Sequence, residues 1–159
     1  MTRALGVLIV LASFALIAVM AGTVFLHFGK ISVDRHIVLS LISVLFCTFV
    51  HLMMIFYLLG IGNQMKRAIV QDDLPKKEER FIRISSFRKK VIPAASLSVL
   101  LLMLTLFSGG HSDAAQQALW LHTSLAIAAF AVNFATLWRE FSTLSDCIEL
   151  MWEIEEEIS

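Results

Sequence analysis

Four long apolar runs dominate the chain: Ala4 to Phe28, His36 to Gly62, Val91 to Phe107 and Ala118 to Trp138. A helix needs about 20 apolar residues to cross roughly 30 Å of hydrocarbon. Three of the runs reach that length, and the third lies at the lower edge of the range. Helices and closed barrels alone satisfy their backbone in lipid, and these runs lack the alternation of barrel strands. The expected fold class is therefore all-α, a bundle of four transmembrane helices. Composition points the same way: 58% of the 159 residues are hydrophobic and 16% are charged, well outside the soluble norm.

Charge sorts the two ends. Between Lys66 and Lys90 lie nine basic residues and four acids, whereas the other connections carry only Lys30, Asp34, Arg35 and Asp113. The positive-inside rule places the basic segment and both termini in the cytoplasm. The expected organisation is a transmembrane domain over 1–138, with spans near 4–28, 36–62, 91–107 and 118–138 and a basic helical loop over 66–90. An acidic amphipathic helix over 139–159 continues the fourth span. Arg3 ahead of an apolar stretch with Ala18, Ala21 and Gly22 resembles a signal peptide, but the stretch runs past any cleavage point and reads as a retained helix.

The basic segment suits anionic membrane lipid, at about 1 kcal/mol for each residue near the surface. It also suits the chain's own tail, where seven acids stand against Arg139 alone. Phe141, Leu144, Ile148, Met151 and Ile158 are the tail's expected seam. Together these predict a helical cytoplasmic extension, with the tail lying against the basic segment or free to dock a partner. Asp72, Asp73, Leu74 and Pro75 signal a helix stop, with Glu78 and Glu79 opening the next helix. Pro93 fits the start of the third span. A formal charge of zero excludes a nucleic-acid surface. The two cysteines, Cys47 and Cys147, are too few for a disulfide framework.

Ionisable side chains within spans are functional candidates. His51 falls near the middle of the second span, while His122 lies about one turn into the fourth. His27, His36 and His111 cluster with His122 towards the outer interface. Imidazole is the usual ligand of haem iron and transition metals, and bundle cores are where such sites are built. His51, His122, His27 and His36 are therefore the candidate cofactor ligands, for b-type haem or a transition metal. His51 and His122 differ by roughly 10 Å in depth, so His122 matches His27 or His36 better. His111 could join a metal site, and Cys47 and Met54, on the His51 face, could offer copper(I) soft donors. The structural alternative for His51 is a hydrogen bond to Asn133 across the bundle. Gly60 and Gly62 read either as a hinge or as a tight packing point. No HExxH, Walker loop, dinucleotide turn or CxxC is present, so a self-contained enzyme is not expected. A transporter lacks the inverted repeat that would support it.

The stretches "HLMMIFYLLGIGNQMK", "SGGHSD" and "WLHTSLAIAAFAVNFATLWRE" resemble a group of small bacterial four-helix integral membrane proteins, which carries no activity over. That resemblance implies the bacterial inner (plasma) membrane. In architecture the chain is also similar to cytochrome b-type membrane anchors, which hold haem between histidines of separate helices. It departs from them in lacking spans that each carry two histidines at matched spacing. Two functions are expected to compete. One is a haem- or metal-binding subunit passing electrons to a membrane partner. The other is an accessory or scaffold subunit docking another membrane protein, or a second copy of itself, through its acidic helix.

Overall fold

The computed structural model describes residues 2–109 and 116–158. Four helices account for nearly all of them: α1 (Thr2–His27), α2 (Val33–Gln71), α3 (Lys77–Gly109) and α4 (Gln116–Ile158). Each is long and apolar enough to cross a membrane. The helices alternate in direction and pack in the cyclic order α1, α2, α3, α4, with α2 and α4 also meeting across the diagonal.

Each helix turns a narrow stripe inward. On α1 it is Leu5, Ile9, Ala12 and Leu16; on α3 it is Ile84, Phe87, Val91, Ala95, Ser98 and Leu102. Steps of three and four residues keep such side chains on one face. The opposite faces expose Phe14, Phe56, Ile82, Phe107 and Trp138, the inverse of a soluble bundle.

The basic segment is not a separate loop. Apart from the short link 72–76, it consists of the end of α2 and the start of α3. Asp72 caps α2, and the chain reverses through Asp73 and Lys76, both with positive φ. Glu78 and Glu79 open α3 as its first turn. Pro93 lies inside the continuous α3 rather than at a helix start. α4 runs unbroken for 43 residues, a rod of about 65 Å.

The tail lies on α3. Arg80 pairs with Glu157 at 2.5 Å and Arg83 with Glu153 at 2.8 Å, an antiparallel ladder of charge. Its seam is turned only in part from the expected one, since Leu144 is buried and Ile148 and Met151 pack half-buried against the core. The inward residues are Glu140, Thr143, Leu144, Cys147, Leu150 and Ile154, while Phe141 and Ile158 are exposed. Glu153 and Glu157 lie on the side that faces α3, where their arginines reach them.

Tyr57 of α2 contacts Met151 at 3.8 Å and the side chain of Thr2, so α1 begins at that level. Beyond it only α2, α3 and α4 continue, closed around Met65, Ile69, Leu74, Ile84 and Ile154.

Candidate functional site

His51 of α2 is fully buried in the bundle. Its Nδ1 lies 2.8 Å from Oε1 of Glu140, and its Nε2 lies 2.9 Å from Oδ1 of Asn133. The orientation of the Asn133 amide follows from its other contacts. Its Nδ2 donates to the Ala129 carbonyl at 2.7 Å and reaches the Ser98 carbonyl at 3.4 Å, which turns Oδ1 to the imidazole. Beside it, the Ser98 hydroxyl donates to Thr136 Oγ1 at 2.8 Å. Asn133, Thr136, Glu140 and Thr143 form a buried polar stripe on α4, in steps of three, four and three.

Glu140 and Asn133 are fully buried as well. Glu140 keeps one oxygen, Oε2, with no hydrogen-bond partner among the described residues. Cys47, one turn before His51, directs its thiol to the Ala12 carbonyl of α1 at 3.7 Å. Met54 packs, fully buried, in the apolar core. Both ring nitrogens of His51 are thus engaged by protein, and Cys47 has its own acceptor. Nothing in this geometry brings His51, Cys47 and Met54 to a common point.

At the other end of the bundle, His36 of α2 packs against Gly22 of α1. A Cβ at Gly22 would stand 3.5 Å from His36 Nδ1 and 3.3 Å from Leu39. His36 Nδ1 is buried and has no partner among the described residues. His122 of α4 lies close enough to act on His36 electrostatically. Ser108 donates its hydroxyl proton to the Thr105 carbonyl at 2.9 Å, so His122 Nδ1–H donates to Ser108 Oγ at 3.0 Å. That tautomer leaves the lone pair on Nε2. His27 ends α1 at this end of the bundle. His111 lies outside the described residues. No group of three or more His, Cys, Asp or Glu able to hold a metal occurs among the described residues.

Gly60 and Gly62 sit within continuous α2. Gly62 is a packing point: a Cβ there would lie 2.9 Å from Arg88 Nη2 and 3.0 Å from Ile84 Cγ2. Nothing approaches Gly60 within 4 Å.

Sequence reasoning found the His51–Asn133 contact and missed Glu140, which it grouped with the tail acids. The available signal was spacing, since Glu140 follows Asn133 by seven residues, two helical turns, and so shares its face.

The fold and this cluster define a class: a four-helix bundle of membrane-spanning length, built around a buried His–Glu–Asn triplet. No protein family, curated protein or solved structure matches the chain.

Proposed function

We propose that the chain is an integral protein of the bacterial inner membrane, with the basic ends of α2 and α3 and both termini in the cytoplasm. It serves there as a non-catalytic accessory subunit for another membrane protein. The observation that carries this reading is the double engagement of His51: its two ring nitrogens are held by Glu140 and Asn133, leaving neither for a metal or haem iron.

Membrane insertion has a second support in α4. Trp120 and Trp138, each 72% exposed, stand five turns apart on one face, separated by about 27 Å of helical rise. That spacing fits the hydrocarbon thickness, with an indole at each interface. Arg88, Lys89 and Lys90 lie on α3 at the corresponding basic end. Exposed Trp138, Phe141 and Trp152 on α4 give a membrane partner an apolar face to meet.

Cofactor binding retains one specific support at the opposite end. His36 Nδ1 has no partner among the described residues and His122 presents Nε2 as its acceptor nitrogen, so two helices offer one imidazole nitrogen each. These two residues fit a metal or haem iron better than His51 does, with Ser108 orienting His122 as outer partners orient metal ligands. Electron transfer would follow only from that site.

Purification of the full chain decides between the two. The accessory reading expects a colourless, metal-free preparation that copurifies with a membrane partner. A visible Soret band, or stoichiometric metal lost in His36→Ala and His122→Ala, overturns it in favour of the cofactor.

A further inference from the structure

We propose that the His51–Glu140 pair is a buried, titratable proton-binding site, in which one proton is shared between His51 Nδ1 and Glu140 Oε1. The inference stands on hydrogen-bond geometry and does not depend on the accessory role.

The geometry imposes a proton count. Asn133 is oriented with its oxygen on Nε2, so that nitrogen carries a proton and donates. Across the ring, Nδ1 faces a carboxylate oxygen at 2.8 Å, and a bond that short requires a second proton between them. Whether drawn on nitrogen or on oxygen, the pair with this proton is neutral overall. Without it, two acceptors face each other and one net negative charge remains in the core, a costly state.

Among the described residues, the surroundings supply no other charge to balance that loss. α1 faces this level with Ile9, Ala12 and the Ala12 carbonyl. α2 adds Cys47, which is electrostatically coupled to Glu140 and is bonded to that carbonyl. The inward residues of α3 are Val91, Ala95 and Ser98, while α4 adds Thr136 and Thr143. The nearest bases on α3 and α4, Lys90 and Arg139, are exposed along a groove on the outer side of those helices. The proton is therefore the ligand that neutralises the pair. Oε2 is buried and has no hydrogen-bond partner among the described residues, so it can accept a further bond without breaking an existing one.

Full-length protein labelled with ¹⁵N-histidine, in lipid nanodiscs, tests this by ring-nitrogen NMR across pH, with His51→Gln assigning the signal. Wild-type protein is expected at neutral pH to show Nε2 protonated and the shared proton present, either on Nδ1 in the nitrogen spectrum or on the Glu140 carboxyl in the infrared. Alkaline titration is expected to remove one proton per chain, with the Glu140 carboxyl band in the infrared changing over the same range. In Glu140→Gln, His51 is expected to carry a single N–H already at neutral pH. Three results overturn the proposal. They are a wild-type pair in which neither Nδ1 nor the Glu140 carboxyl carries the shared proton at neutral pH, a pair that never releases it while the protein is folded, and a titration that follows sodium at fixed pH. The wild-type titration stands without the variant, should Glu140→Gln fail to fold.

Discussion

Arg88 fills the space that a side chain at Gly62 would need. Its guanidinium donates to the Leu59 carbonyl at 3.0 Å and to Asn63 Oδ1 at 2.8 Å, lying flat against α2. The charged head thus caps backbone and amide oxygens of the neighbouring helix while its stem packs on α3.

Gly62→Ala is expected to displace Arg88 and press on Ile84, lowering stability by about 1–3 kcal/mol, in the range of other overpacked sites. Gly60→Ala meets open space and removes a flexible residue from a helix interior, so it is expected to stabilise by about 0.5–1 kcal/mol. Unfolding of the two variants side by side in detergent checks both signs.

Removal of one member of the His51–Glu140 pair leaves the other buried without its partner. His51→Leu and Glu140→Leu are each expected to cost about 3–5 kcal/mol, and the double substitution markedly less than their sum. A double-mutant cycle measures the coupling, and additive losses contradict it.

Much of the fold is legible in the sequence because it follows from length and polarity. Four apolar runs of spanning length need no tertiary information, and the stop at Asp72 and Asp73 is local chemistry. The rotation of the tail was not legible. A seam sought among apolar residues passes over Glu140 and Thr143, and the two charge pairs beside it join residues 70 and 77 apart in sequence. His51 could be matched to Asn133 by depth alone. Glu140 stood two turns beyond, next to Arg139, where an acid reads as solvated.

Acid is expected to release the tail. The Arg80 guanidinium holds the Glu157 carboxyl below its usual range, and Lys77 does the same for Asp73. A lowered carboxyl contributes stability above the unfolded value of about 4.3 and loses it as pH falls through the lower folded value. Hydrogen exchange over residues 150–158 should therefore be slow at pH 6 and rise below about pH 4. The exposed Arg83–Glu153 pair contributes only about 0.2–1 kcal/mol and weakens with salt.

Both native thiols are buried, so a new surface cysteine is read against a quiet background. Ser32→Cys is expected to react with an impermeant maleimide on intact cells, and Asp72→Cys only after lysis. The reverse pattern inverts the proposed orientation.

The polar stripe on α4 bears on how the protein is made. The apolar span of α4 is the least hydrophobic of the four, and it turns a carboxyl, an amide and two hydroxyls towards its neighbours. Alone in lipid, such a segment lacks acceptors and donors for those groups. Its partners, His51 and Ser98, belong to helices the ribosome has already delivered. Synthesis thus proceeds in the sequence the core demands, and a chain stalled before α4 leaves a raw imidazole inside the bilayer as a mark of incompleteness.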